Sequence, residues 1–540
     1  MLRQLAFDFT GLTVPLIATF AFILPLLSKI ARNRLFPAIY ALIISVIIVV
    51  ATTTIYVEVS SSGKPIVYAF GGWPPPIGIA YEIDGFNAIL GFYAGWIILL
   101  ITLFSIWYNN ELDEPEWYYT LLLGFNAGLL GCFYTGDVFN LFVMLEVLSI
   151  SIYGLVSYHK NNPVSLEAAF KYAIIGATAT TIYFIGLIII YGWYSSLNMA
   201  HILEINIEIY EKHLVKGETG WESVIMASTL AVSLALWVFT FKSGLFPNHF
   251  WIPDVYCEAP TPVSALLPSL SEIMGVYIVV RFLYTIFPAA SPIGFMYRKL
   301  VLSILLILGF IGGVIGALMM FIQRDVKRIL GYSSISHIGL MFMILSIGAF
   351  SNDDNVLRIA FTALLTHIIA HGLSKVLLFS SIEVFIKSSG SKIMDDMRGV
   401  GRKYPLVSLA LIIGFLNLAG VIPLIGFFSK LLMYQAYMSI GQVLPALGII
   451  IISALSIPGY AKPIYSIVFS TPVSEFKYLN IKWFKYYLLI LTISLFILGV
   501  VFISIYSILD NIVYDSLTTH GLMKYLHAFE ETVYKLRGGL

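Results

Sequence analysis

The segment Phe241–Leu270, FKSGLFPNHFWIPDVYCEAPTPVSALLPSL, decides how the rest of the chain is read. An apolar run from about Ile225 to Phe246 leads into it and is long enough to cross a bilayer. The run carries Lys242 near its end, followed by Pro247, His249, a stretch with Pro253, Pro260 and Pro262, and a second apolar run. An ammonium group is costly in lipid, so Lys242 is expected to face protein or water and to mark a charge pathway. Pro247 removes a backbone donor and breaks the helix beside that lysine. Broken backbone at membrane depth survives only inside protein or along a wet cavity. Lysine, break and histidine together read as an ion-handling site.

Composition agrees. Of 540 residues, 59% are hydrophobic and 11% charged, and the mean hydropathy is +0.90. Soluble proteins carry about twice that charged share, so the expected fold class is an all-α polytopic membrane protein. A net charge of +1 gives no reason to expect a nucleic-acid partner. Cys132 and Cys257 form no disulfide framework, and no Cys/His spacing suits zinc or an iron–sulfur cluster. The N-terminus lacks a basic n-region and a small-residue cleavage site, so its first apolar run is expected to be a retained helix.

Apolar windows of about 20 residues fall near 10–30, 35–57, 85–107, 117–136, 138–158, 167–192, 223–247, 261–287, 299–322, 329–350, 356–386, 405–438, 441–469 and 484–508. They predict about fourteen spans. The 405–438 window contains Pro423 and is too long for one straight crossing, which predicts a second broken span. Residues 64–84, with GGWPPPIG and alternating apolar positions, predict a short surface hairpin or loop. The mixed, charged tail after Leu509 predicts a short amphipathic surface helix.

Loop lysines and arginines set the orientation. With the N-terminus outside, inside loops hold 15 and outside loops 6, or 10 when the tails are added. Both termini are therefore expected on the outer side. Lys242 before Pro247 and Pro423 before Lys430 lie in broken spans five spans apart, an odd number that inverts one half relative to the other. Paired interrupted helices in two halves point to a transport pathway.

Eight titratable residues form a candidate row: Glu146, Lys171, Lys242, His337, His367, His371, Lys375 and Lys430. Glu146 sits mid-span with no charged residue within eight positions. Its bland alternative is a carboxyl hydrogen-bonded for packing. Lys171 and Lys242 have the alternative of snorkelling to the interface. His367, His371 and Lys375, at i, i+4 and i+8, share one helix face. Histidine exchanges protons near neutral pH, whereas the adjacent lysine would repel a metal. A proton file is preferred to a metal site or to structural histidines, and His337 shares that choice. His249 stands in the break, and Glu272 lies deep in its span and is expected to line the path. Arg281 is expected at the interface. The charges at Arg324, Lys327 and Arg328 read as a positive-inside anchor. There is no nucleotide-binding loop, no Ser/His/Asp set and no cofactor ligand set, so no catalytic centre and no cofactor are expected. The available chemistry is proton or cation movement.

At this point KSGLFPNHFWIPDVYCEAPTPVSALL, QRDVKRILGYSSISHIGLM, HIIAHGLSKVLLF and GVIPLIGFFSK become specific. Together they resemble the antiporter-like subunits shared by respiratory complex I, multisubunit Mrp cation/proton antiporters and membrane-bound hydrogenase-type complexes. The resemblance spans roughly 85–470. GGWPPPIGIAYEIDGFNAIL and DVFNLFVMLEVLSISIYGLV look most like the D-type Mrp subunit and its relatives in archaeal hydrogenase and sulfane-reductase complexes.

The resemblance implies fourteen helices with two inverted five-helix repeats and broken helices 7 and 12. It divides the chain into 1–116, a first repeat 117–287, a second repeat 298–470, and 471–540. It also implies that Glu146 and Lys242 form an ion pair whose making and breaking drives protons along an axis of His337, His371 and Lys375 toward a terminal lysine, Lys430. One departure stands out. The family's frequent lysine in the eighth span is replaced by Ile273, with Glu272 one residue earlier. The short tail after the last span cannot supply the extra C-terminal helices and long lateral helix of the family's longest subunit, so neither is expected.

The function expected is that of a proton-translocating, or alternatively sodium-translocating, subunit of a larger respiratory complex in the plasma membrane, with other membrane subunits as partners. The rivals are the D-type subunit of a Na+/H+ antiporter without redox partners, a quinone-site subunit, and a self-sufficient transporter.

Overall fold

The computed structural model describes residues 2–215, 222–294, 297–473 and 475–538. Lys216, one of the outer-loop lysines counted above, lies outside them. Helices α1 (Leu2–Ala31) and α2 (Phe36–Ser62) lead into an antiparallel hairpin, β1 (Ile66–Ala69) and β2 (Ala80–Ile83), paired from Ile66↔Ile83 to Ala69↔Ala80. There follow α3 (Gly85–Tyr108), α4 (Pro115–Tyr134), α5 (Val138–Val156), α6 (Pro163–Tyr194), α7 (Met199–Ile209) and α8 (Glu222–Ser243). After a break come α9 (Ile252–Glu258), α10 (Thr261–Leu266) and α11 (Glu272–Val280), with π-helical turns at Leu267–Ser271 and Arg281–Ile286. Then follow α12 (Tyr297–Ile322), α13 (Val326–Leu345), α14 (Asp354–Ser389), α15 (Pro405–Ala419), α16 (Ile425–Met438) and α17 (Val443–Ile464). The chain closes with α18 (Phe484–Val500), α19 (Phe502–Leu517) and α20 (Thr519–Arg537).

Eleven described helices are long and apolar enough to cross a bilayer, or twelve if α18 and α19, bent by 77°, count as one. The fourteen expected are not reached on that criterion. The 405–438 window divides into two short helices, of 15 and 14 residues. The window at 117–136 corresponds to α4, which opens on Pro115 and Glu116 and carries Asn126.

Burial sorts the spans. The Thr261–Ile286 span is wholly buried and Val326–Ala349 is 94% buried, whereas α1 and the Val443–Phe469 span are only 39% buried. The inner helices carry Glu272, His337, His367, His371 and Lys375, while the outer ones present Phe22, Ile30, Leu444 and similar side chains outward. Charge in a membrane protein belongs where protein replaces lipid. The inner helices approach closely through small residues. A Cβ at Gly339 would collide with the Gly309 carbonyl oxygen and sit 2.6 Å from the Gly313 nitrogen.

The two halves share local devices. Asp137 caps α5 by accepting from the Phe139 and Asn140 amides at 2.9 and 2.7 Å. Asp325 caps α13 by accepting from the Lys327 and Arg328 amides at 2.8 and 3.1 Å. Each satisfies orphan helix donors with a carboxylate at the positive end of the dipole. Each break begins at a left-handed glycine, Gly244 (φ 73°) or Gly420 (φ 86°), with Pro247 or Pro423 three residues on. Glycine is required there because a side chain at that φ is strained.

The hairpin is less superficial than expected. All four residues of β2 are buried, and the C-terminal helix closes over it. α20 buries Tyr525, Leu526 and Phe529, of which the cluster with Ala200 and Leu203 of α7 is the apolar part. The Tyr525 hydroxyl donates to Glu82, which also accepts from Asn198 at 2.6 Å.

Candidate functional site: a buried row of titratable groups

At one end of the row, Lys242 is fully buried at the end of α8. Its Nζ donates to Ser149 Oγ at 2.6 Å and to the Tyr153 hydroxyl at 3.3 Å, and lies 5.3 and 5.6 Å from the centres of the Tyr153 and Tyr172 rings. Hydroxyls and π faces therefore solvate the ammonium. This corrects the ion pair with Glu146. Glu146 is half-buried on α5 and has no ion-pair partner within 4.0 Å among the described residues. The buried stripe of α5 runs through Leu145, Leu148, Ser149 and Ile152, which leaves Glu146 at its margin and gives Lys242 to Ser149.

Lys171 lies apart from the row. The buried face of α6 is Ala168, Tyr172, Gly176, Ala179 and Tyr183. Lys171 is off that stripe, half-exposed, and pairs with Glu167 at 2.6 Å and Asp254 at 4.0 Å. It is Tyr172, the next residue, that reaches the site. Its ring stacks on Trp251 at 4.2 Å, and its hydroxyl is close to Ser271 and within electrostatic reach of Glu272. His249 stays in the break, half-buried, with Nδ1 3.2 Å from the Pro247 carbonyl oxygen.

Glu272 is wholly buried between the two π turns. π-helical turns frequently mark functional positions, and here Pro268 lies within the first. The Tyr256 hydroxyl donates to Glu272 Oε1, while Oε2 has no partner. Lys375 faces it electrostatically and donates from Nζ to the Leu330 carbonyl at 2.6 Å. His371, one turn away, is buried with neither ring nitrogen bonded; its ring centre lies 5.1 Å from that of His337.

Beyond His371 the groups join in one hydrogen-bonded file. Tyr460 meets His337 Nε2 at 2.9 Å, His337 Nδ1 meets His367 Nε2 at 2.9 Å, and His367 Nδ1 meets Ser429 Oγ at 2.9 Å. Ser429 donates its only hydrogen to the Gly426 carbonyl at 2.9 Å. That fixes the rest. Ser429 must accept from His367 Nδ1–H, a neutral His367 must accept at Nε2 from His337 Nδ1–H, and His337 must accept at Nε2 from the Tyr460 hydroxyl. Every donor points the same way, toward the α15–α16 break. There Lys430 donates to the Leu418 and Ala419 carbonyls at 2.8 and 3.1 Å. These are α15 acceptors that lose their helical partners where the helix stops. Asn417 clamps the break by accepting from the Gly426 amide at 2.9 Å and donating to Ser374 at 2.7 Å.

Two further corrections concern buried cations. Arg281 is not interfacial. It is 3% exposed and ion-paired to Asp84 at 2.6 Å, because the hairpin and the C-terminal helix cover that end of the protein. Lys327 is buried too, with Nζ 2.6 Å from the Ala259 carbonyl oxygen. Sequence reasoning also missed Ser149, Tyr153, Tyr172, Tyr256, Ser429 and Tyr460. Serine and tyrosine are common in apolar spans, and only the tertiary contacts distinguish these six.

Residues 135–456 match the family described as NADH:quinone oxidoreductase/Mrp antiporter, transmembrane. The chain belongs to this family. It is thus an antiporter-like, multi-pass membrane protein. It is 31% identical over 380 residues to the N-type subunit of NADH-quinone oxidoreductase from Desulforudis audaxviator, covering 68% of each chain. It is 29% identical over 384 residues to the D-type subunit of the Na(+)/H(+) antiporter from Alkalihalophilus pseudofirmus, covering 71% of this chain and 72% of that one. Among solved structures, a chain of the membrane-bound sulfane sulfur reductase, an archaeal respiratory membrane complex, superimposes with a TM-score of 0.85 at 26% identity, covering 96% of this chain and 99% of that one. Both broken helices and the whole histidine file fall in the matched segment, except Tyr460.

Proposed function

We propose that this chain translocates protons as one subunit of a multisubunit respiratory complex in the plasma membrane, with other antiporter-like membrane subunits as partners. The observation that carries this reading is the continuous hydrogen-bonded file Tyr460–His337–His367–Ser429, which the Ser429 bond to the Gly426 carbonyl polarises one way when both imidazoles are neutral. Such a file passes a proton when Tyr460 accepts one and Ser429 releases its own hydrogen, which requires the Ser429 hydroxyl to turn from the Gly426 carbonyl toward an acceptor such as a deprotonated Lys430. A sodium ion instead needs a cage of oxygen ligands, and Glu272 is the only fully buried carboxylate of the row among the described residues. In this reading Lys242, Glu272, Lys375, His371, His337, His367 and Lys430 carry charge, and Glu146, Lys171 and His249 stand at the margin. The paired Asp caps and the paired Gly–Pro breaks support two inverted repeats, 117–287 and 298–470, between 1–116 and 471–540. The loop lysines and arginines support both termini on the outer side.

His367→Ala in the assembled complex, in inverted membrane vesicles, is expected to abolish proton uptake with assembly intact; full uptake would overturn the proposal. The relationship to the D-type subunit of an antiporter favours a second reading, a cation/proton antiporter without redox partners. Purification from native membrane separates the two: iron–sulfur subunits in the purified assembly support the first, and small membrane subunits alone support the second.

A further inference from the structure

The i+4 row of α14 that holds His367, His371 and Lys375 does not stop there, although it winds about 40° around the helix with each step. Continued in steps of four it reaches Phe379, Glu383 and Lys387. Glu383 is 4% exposed and accepts from Thr261 Oγ1 at 2.6 Å. The charged groups facing it are Lys327 of α13, Lys387 of its own helix and Glu111 of the turn after α3. None of them neutralises it directly. Lys327 donates instead to the Ala259 carbonyl, and Lys387 pairs with Glu111 at 3.4 Å while lying over the Trp107 and Tyr108 rings. Glu111 is half-exposed, and Tyr108 touches His159 at 3.4 Å. A buried carboxyl that is not ion-paired is expensive to hold ionised and so favours taking up a proton. This one stands between a solvent-facing rim of titratable groups and the row.

We infer that Glu383 is the proton-intake residue of this chain. It takes a proton from water at the Glu111–Lys387–His159 rim and releases it to the amine of Lys375, which regenerates the carboxylate. Lys375 lies two turns back along α14, about 12 Å at 1.5 Å per residue, so the transfer is not direct and requires intervening water to carry the proton. The inference rests on the translocation reading above and adds its point of loading.

The test uses the assembled complex in vesicles, with Glu383→Gln, Glu383→Asp, Thr261→Val and Lys375→Ala measured side by side. Glu383→Gln should slow proton uptake about 100-fold, the low end of what a positioned proton-transfer group contributes. Glu383→Asp should restore much of the rate with a displaced pH profile. Thr261→Val, which removes only the hydrogen bond, should also displace the profile. Glu383→Gln at the wild-type rate beside an inactive Lys375→Ala overturns the intake role and leaves the row standing. Wild-type rates in both variants overturn the translocation reading itself. A slow Glu383→Gln whose Asp counterpart keeps the wild-type pH profile makes the carboxylate merely structural and overturns the inference. If Glu383→Gln fails to assemble, Thr261→Val decides: an unchanged profile refutes intake through Glu383.

Discussion

Asp84 and Arg281 can be separated into a charge contribution and a capping contribution. Asp84 accepts from the Phe86 and Asn87 amides at 2.9 and 3.1 Å through Oδ1 and from Arg281 through Oδ2. Asp84→Asn keeps an oxygen for the cap and removes the charge. Arg281 is then left with Tyr277 at 3.0 Å, Thr285 at 3.3 Å and an Nη2 that already lacks a partner. An uncompensated buried charge costs about 3–5 kcal/mol. Glu82 cannot swing over, because Asn198 and Tyr525 hold it. Asp84→Ala also loses the cap, for about 1 kcal/mol more. Arg281→Met should cost less than either, about 1–3 kcal/mol, since the carboxylate keeps its two amides. The double variant Asp84→Asn/Arg281→Met should resemble Arg281→Met alone. Cys132 and Cys257 are both buried, so a thiol-reactive dye, followed on this chain after heating or detergent titration of the purified complex, reports unfolding. If Arg281→Met proves costlier than Asp84→Asn, or if Asp84→Ala and Asp84→Asn are equal, the division of roles is wrong.

Burial pushes the Glu82 carboxyl up to about 7 despite the lowering effect of Tyr525 and Asn198. Folded protein then holds a proton that unfolded protein releases near 4.5, so stability should fall as pH rises from about 4.5 to 7, by about 3 kcal/mol, and Glu82→Gln should flatten that slope in the same dye assay. Lys242→Ala should leave assembly intact and reduce proton uptake by the complex at least about tenfold, since an intramembrane cation is a functional group by default; unchanged uptake would remove it from the row. Tyr460→Phe takes away the donor to His337 Nε2 and should slow uptake while sparing the melting profile, whereas an equal loss in both would assign Tyr460 to packing. Gly339→Leu meets backbone on α12 and should prevent folding of this chain, read as its absence from the membrane complex.

How much could be read beforehand depends on the kind of signal. Apolar runs, the two proline breaks and the i, i+4, i+8 ladder of α14 are local, and the structure has helices, breaks and a shared face at those positions. Lys171 was misplaced because adjacent residues on a helix point about 100° apart, and the buried stripe passes through Tyr172 instead. Arg281 was misplaced because its partner is 197 positions away in the chain, on a hairpin end that hydropathy cannot see. The neutral members, Tyr256, Tyr460 and Ser429, are chosen by contacts between helices. No spacing rule separates them from the other serines and tyrosines of an apolar span.

A polarised file has memory. When a proton has passed from Tyr460 through both imidazoles to Ser429, each ring holds its hydrogen on the opposite nitrogen, and the next proton meets donors where it needs acceptors. The file must be rewound before it can fire again. His337 and His367 lie with ring centres 5.0 Å apart, inclined by 28°, and both are buried. Rewinding by ring rotation therefore requires the helices to loosen. If the file translocates protons as proposed, transfer and loosening would alternate, and a motion that eases α13 from α14 would set the pace.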